Sequence, residues 1–109
     1  MRKQRKLSPT AARVLGIFLD APDREIYGLQ IIQEAAVPSG SLYPIAHLLE
    51  RLGVIEGTWE DLETAAAAGH RPRKKYRLKP DGVEHARDLV AEAEVPKARQ
   101  PEALKPRTA

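Results

Sequence analysis

No cysteine occurs among the 109 residues. That excludes a disulfide framework, every cysteine-ligated metal and every cysteine nucleophile. Aromatic residues make up only 5% of the chain, so a core has to be built mostly from Leu, Ile, Val and Ala. No apolar run approaches the length needed to cross a bilayer, and no membrane partner is expected. The start, M-R-K-Q-R-K, is basic, but the apolar stretch behind it is interrupted by Ser8, Pro9 and Arg13. It does not read as a signal peptide, and a cytoplasmic protein is the expectation. Catalytic patterns are equally scarce. His47, His70 and His85 lie far apart and outside any metal-ligand spacing, and no phosphate-binding glycine loop occurs. Neither an enzyme nor a cofactor nor a metal site is expected.

The chain does have enough apolar residues, 42%, for one globular domain with a modest core. Its net charge of +3 conceals a segregation. Arg2, Lys3, Arg5 and Lys6 carry +4, the stretch from Arg71 to Lys79 carries +6, and the tail from Pro96 carries +3, which leaves ten net negative charges for the rest. Positive charge gathered into an arm, a hairpin and a tail points to a polyanionic partner more strongly than net charge does.

The most informative stretch is P-S-G-S-L-Y-P-I-A-H-L-L-E-R-L, residues 38–52. Leu42, Ile45, Leu49 and Leu52 recur at helical steps, with Leu48 widening the stripe, so one face must be buried. The other face near the start holds Ser39, Gly40, Ser41, Tyr43, Pro44 and His47, with no acid before Glu50. A buried back and a small, acid-free front suit the second helix of a helix-turn-helix, the one that enters a DNA groove. Ser39 and Ser41 can equally serve as helix caps, and a capped helix start is itself a phosphate seat. The Tyr43 ring suits contact with a thymine methyl or its hydroxyl a phosphate.

The rest of the chain falls into place around this helix. Residues 1–7 read as a basic flexible arm. A first helix spans about 8–21, with Ser8 as cap, Pro9 in the first turn and Ala11, Val14, Leu15, Phe18 and Leu19 inward. A second spans 25–36, with Ile26, Leu29, Ile32 and Ala36 inward. Gly28 early in that helix costs about 1 kcal/mol relative to Ala, so close packing or approach to a phosphate is the expected reason for it. Pro44 is tolerable because it lies near the first turn of the third helix, 39–52. Beyond Gly53 the pattern turns to strands. Ile55, Gly57 and Trp59 fall on one face of the first, and Trp59 reads as a core or interface residue. Tyr76 and Leu78 lie inward in the second, leaving Lys75, Arg77 and Lys79 outward. Together they make a two-stranded wing over 54–79. Its tip, residues 61–73, is acidic and alanine-rich, then basic. Its first half suits a helical turn, and a loop of that length is otherwise functional or disordered. A fourth helix spans 81–95, with Val83, Ala86, Leu89, Val90 and Ala93 as its stripe, and residues 96–109 form a basic, Pro-containing tail that need not fold.

G-L-Q-I-I (28–32), S-G-S-L-Y-P-I (39–45), L-L-E-R-L-G-V-I-E-G-T-W-E (48–60) and R-K-K-Y-R-L-K-P-D-G (73–82) together resemble the PadR-type transcriptional regulators over about residues 10–90. The resemblance implies an α+β, mainly α, winged helix-turn-helix with a C-terminal helix, acting as a homodimeric repressor on an inverted-repeat operator in duplex DNA. It implies groove-facing roles for Ser39, Ser41, Tyr43 and His47, and backbone-facing roles for Arg73, Lys74 and Arg77. Arg71 and Lys75 belong to the same basic wing, and Arg2, Lys3, Arg5 and Lys6 are candidates for an arm contact. It also admits a small-molecule effector, which the sequence does not identify. Two other functions stay open on the residues: a winged helix that docks on an acidic protein, and a non-specific architectural DNA binder.

Overall fold

A computed structural model describes residues 6–94. The elements run α1 (Pro9–Asp20), β1 (Ile26–Tyr27), α2 (Gly28–Ala35), α3 (Ser39–Arg51), β2 (Ile55–Trp59), α4 (Leu62–Ala67), β3 (Lys74–Leu78), a 3-10 turn (Pro80–Gly82) and α5 (Val83–Glu94). The Ser8 hydroxyl accepts from the Ala11 N–H at 3.1 Å and Pro9 sits in the first turn, the start that the sequence predicts for α1. α1 packs on α5, and its buried residues Val14, Leu15 and Phe18 meet Ala86 and Leu89 in one core with Ile26, Ile31, Leu49 and Tyr76. Leu7, which the sequence assigns to the basic arm, is buried in that core. Arg2, Lys3 and Arg5 and the tail from 96 lie outside the described residues, while Lys6 is exposed.

The β2–β3 hairpin is the two-stranded wing, and a short third strand that the sequence does not announce joins it in one sheet. β3 is central, and both β1 and β2 pair with it antiparallel, Ile26 opposite Tyr76 and Gly57 opposite Tyr76 on the other side. This extra strand corrects the second helix. Residues 25–27 are extended and α2 begins only at Gly28, where the Gln30 side chain accepts from the Tyr27 backbone N–H at 3.0 Å. The later start rotates the buried face. Ile31 and Ala35 point inward, whereas Leu29 is 65% exposed and Ala36 is exposed in the left-handed conformation that ends the helix. Ile26 is buried as expected, but from a strand. Arg13 on α1 reaches across to this end and donates from Nε to the Ala35 carbonyl at 3.0 Å, satisfying a carbonyl that the helix leaves unpaired.

Three residues, Ala36 to Pro38, separate α2 from α3, the spacing of a helix-turn-helix. α3 buries Leu42, Ala46 and Leu49; Ile45 and Leu52 are half-buried and Leu48 is exposed. Gly28 is explained by packing: a Cβ there would lie 2.9 Å from Leu42 Cδ2, so the missing side chain lets α2 and α3 approach. Gly53, at φ 79°, stops α3, and the chain turns directly into β2.

The wing tip is folded. Asp61 caps α4 by accepting from the Thr64 N–H at 3.0 Å. Ala65 is buried beneath it, and its carbonyl accepts from the His70 N–H at 3.0 Å as the chain turns back toward β3.

Candidate DNA-binding surface

On α3 the front predicted from sequence is at the surface. Ser39, Gly40, Tyr43, Pro44 and His47 are exposed and Ser41 is half-buried. Tyr43 stands 67% exposed, its ring open to a partner rather than packed in the core. The capping reading of the serines is corrected. Pro38 occupies the cap position, and no side chain caps the helix. Neither hydroxyl is therefore committed to the helix start, whose unpaired N–H groups and positive dipole end face outward with them.

The wing cations divide between two faces because strand side chains alternate. Tyr76 and Leu78 point into the core, and Lys74 shares their side. Lys75 and Arg77 point the other way. Each is held there by a carboxylate: Lys75 Nζ lies 3.1 Å from Glu25 Oε1, and Arg77 Nε donates to Glu56 Oε2 at 2.7 Å. The hydrogen bond from each cation to its carboxylate raises the pKa of Lys75 and of Arg77 above the ordinary value. Glu56 and Arg77 are cross-strand partners in the register, so their charges cancel locally. These two cations are thus not grouped with Tyr43, in contrast to the sequence expectation.

Lys74, by contrast, crosses toward α3. Its Nζ lies 3.2 Å from Glu50 Oε2, 5.3 Å from the Tyr76 ring centroid and 5.9 Å from that of Trp59. Gly57 makes this path possible: a Cβ there would fall 2.4 Å from Lys74 Cε. Lys74 therefore ties the wing to the helix as much as it offers charge. Arg73 and Arg71 are exposed, and neither takes part in an ion pair among the described residues. The Arg73 guanidinium lies 5.8 Å from the centroid of the Tyr27 ring.

Glu60 anchors the base of the tip. Its carboxylate accepts from the Tyr27 hydroxyl at 3.0 Å and from the Arg73 backbone N–H at 2.9 Å, with His70 Nδ1 at 3.7 Å. Burial alone would push its pKa up, but those two donors and the nearby His70 and Arg73 charges outweigh it and hold the carboxyl below its usual range.

A groove of about 570 Å³ runs between α3 and the sheet. Tyr43 forms its helix side, Gly28 and Leu29 its α2 end, and Trp59, Lys74 and Tyr76 its floor on the sheet. A shallower hollow continues it to Leu62, Arg71 and Pro72. Of the two readings that the sequence offers for Trp59, core or interface, the core one is corrected. Its alternation with Ile55 and Gly57 puts it on the core side, and so it is, but β2 has by then run past the edge of the core, leaving the indole 61% exposed.

Tyr76 gives the groove a pH signature. Burial, with Glu50 and Tyr43 adding to it, pushes its hydroxyl from 10.0 up to about 12. The folded chain favours the neutral phenol, so the stabilisation is complete below the ordinary value of 10.0 and drains away as pH rises toward about 12. Over that window urea unfolding should show a loss of about 2 kcal/mol. Tyr76→Phe should flatten this alkaline limb, and an unchanged limb would show that Tyr76 ionises freely.

The sequence pattern of the transcriptional regulator PadR-like family matches residues 17–88. Among solved structures the chain is similar to the circadian clock associated protein Pex from Anabaena, at 27% identity over 82% of this chain and 79% of that one, with a TM-score of 0.53. Pex from Synechococcus is similar at 26% identity, 83% and 82% coverage and a TM-score of 0.56. A PadR family transcriptional regulator from Eggerthella lenta follows at 24% identity, 75% and 71% coverage and a TM-score of 0.57. No curated protein matches the sequence significantly.

Proposed function

The chain belongs to the PadR-like family of transcriptional regulators, and from that premise we propose that it is a sequence-specific reader of duplex DNA, a cytoplasmic repressor that binds an inverted-repeat operator as a dimer. One observation carries the reading. The exposed, acid-free front of α3 and the guanidiniums of Arg71 and Arg73, which stand outside any ion pair among the described residues, border the same groove system through Tyr43. Ser39, Ser41, Tyr43 and His47 would face the major groove, with Gly40 and Pro44 keeping the first turn slim enough for close approach. Arg71 and Arg73 would meet the flanking phosphates, Lys74, paired with Glu50, would brace the wing against α3, and Lys6 with the basic arm before it would meet a further stretch of backbone. Lys75 and Arg77 would add neither contacts nor much long-range attraction, since their partners on the outer face neutralise them. The dimer rests on the family pattern and on the symmetry of an inverted repeat, which two copies of α3 would mirror. A small-molecule effector fits the same scheme if it binds the two spacings of those helices unequally.

Gel shifts with the duplex upstream of the chain's own gene and with a scrambled duplex test this. Tyr43→Ala or Ser41→Ala should lower the ratio of the two affinities by roughly 5- to 100-fold, the range of a lost base contact. Arg73→Ala should weaken both duplexes alike and reduce the salt slope by about 0.9. Equal retention of the two duplexes by the unaltered protein would favour a non-specific architectural binder. Retention of neither at low salt would leave the protein-docking reading.

A further inference from the structure

Of the chain's five aromatic residues, four, Tyr27, Tyr43, Trp59 and Tyr76, converge on the groove between α3 and the sheet. Two of them, Tyr43 and Trp59, are mostly uncovered. A single exposed aromatic on a surface needs no explanation, but a cluster does. Leu62 and Pro72 share the hollow with both rings, so the patch is continuous. Its charge says what covers it. Arg71 and Arg73 stand at its edge outside any ion pair among the described residues. The nearby carboxylates are engaged: Glu50 by Lys74, and Glu60 by the Tyr27 hydroxyl and the Arg73 N–H. An apolar floor with a cationic rim fits a partner that alternates apolar faces with negative charge along one edge. A nucleic-acid strand does so, its deoxyribose rings and thymine methyls lying between phosphates.

We propose that Trp59 is a DNA-contacting residue: its indole and the Tyr43 ring cover the sugar and thymine-methyl edge of the strand that passes between α3 and the β2–β3 hairpin, while Arg71 and Arg73 take the phosphates on either side. The inference rests on the duplex-binding reading above. It gives Trp59 a role distinct from that of the arginines. The contact is apolar and uncharged, so it adds affinity without releasing counterions. Lys74 belongs to the arrangement as a strut, its stem laid over Gly57 and its ammonium between two rings and Glu50, so that the wing holds its position against α3.

Trp59 is the sole tryptophan, and its emission reports on this groove alone. The test follows acrylamide quenching of the unaltered protein with and without a labelled duplex of about 30 base pairs, long enough for two half-sites, at low salt. Anisotropy of the label reports binding independently. The expected result is several-fold protection of Trp59 when the duplex is bound. Trp59→Ser should keep its thermal midpoint, since the indole is largely in solvent, bind the duplex about tenfold more weakly and keep the salt slope of the unaltered protein. An unprotected indole on a demonstrably bound duplex would overturn the inference, as would Trp59→Ser binding at full affinity. So would protection by 2-naphthoate in place of DNA, which would assign the groove to small planar anions. Absence of any anisotropy change would instead remove the duplex-binding premise.

Discussion

Gly82→Ala is expected to destabilise the protein by about 3 kcal/mol, near the upper end for overpacking, although it adds only one methyl group. A Cβ at this position would stand 2.6 Å from the Gly53 carbonyl oxygen and 3.0 Å from Val54 Cα. Both are backbone atoms, so no rotamer change relieves the contact. Nor can the backbone retreat cheaply. Gly53 holds φ 79° where α3 ends, the Val54 N–H donates to the Leu49 carbonyl at 3.2 Å, and the Val54 carbonyl accepts from the Lys79 N–H at 2.9 Å. The junction where the proposed reading helix hands over to the wing is thus clamped by the 3-10 turn before α5. Moving it disturbs the angle between α3 and the hairpin as well as the core. The thermal midpoint should fall by roughly 10–20 °C for a domain of this size, and duplex binding by the surviving folded fraction should weaken. Gly16→Ala is the matched control. Nothing lies within 4 Å of its built Cβ, and in the middle of α1 an alanine is favoured by up to about 1 kcal/mol. A Gly82→Ala protein that melts with the unaltered chain would refute the clamp.

The same junction shows what the sequence could and could not convey. α3 and α5 are legible because each carries a repeated apolar step bounded by punctuation, Pro38 and Gly53 for one and Pro80 for the other. The two long strands of the wing are legible from alternation. β1 is not. Two residues cannot display a period, and Ile26-Tyr27 becomes a strand only because β3 has a free edge for it, a pairing some 50 residues away in the chain. That one long-range event displaced the start of α2 and turned Leu29 out and Ile31 in. On α3, Ala46 takes a buried place that a search for large side chains gives to Ile45.

The candidate site follows the same logic. Which α3 residues face outward was set by helical period alone, and Ser39, Gly40, Tyr43, Pro44 and His47 all lie there. The wing needed more. Whether Arg77 is available to a partner depends on Glu56 standing opposite it, and that depends on the register of the hairpin rather than on either residue's neighbours. Trp59 depends on where the core stops beneath β2, a property of the packed molecule.

The largest effect on binding is expected from reversing Arg71 and Arg73, which stand outside any ion pair among the described residues. Arg71→Glu with Arg73→Glu should reduce affinity for any duplex by about two orders of magnitude near 0.15 M salt, and the salt slope should fall by roughly 1.8, one counterion release for each lost phosphate contact. The change should be nearly sequence-blind, because phosphates carry no base identity. Its cost in stability should be small: both side chains are exposed, the bond that Glu60 takes from residue 73 comes from the backbone N–H, and what is lost is the Arg73 charge near Glu60 and its place over the Tyr27 ring. The paired reversal Lys75→Glu with Arg77→Glu removes as much formal charge from the strand that follows directly and is the discriminating comparison. Those cations already face Glu25 and Glu56 on the opposite side of the sheet, so their loss should act on the duplex only through the general field, which salt screens within about 8 Å. Reversing them also sets like charges across the strands, so this pair should lose stability while binding falls much less. Equal losses of affinity from the two double variants, measured by fluorescence anisotropy over a salt titration, would mean that charge alone draws the protein to DNA and that the face on which it sits is immaterial.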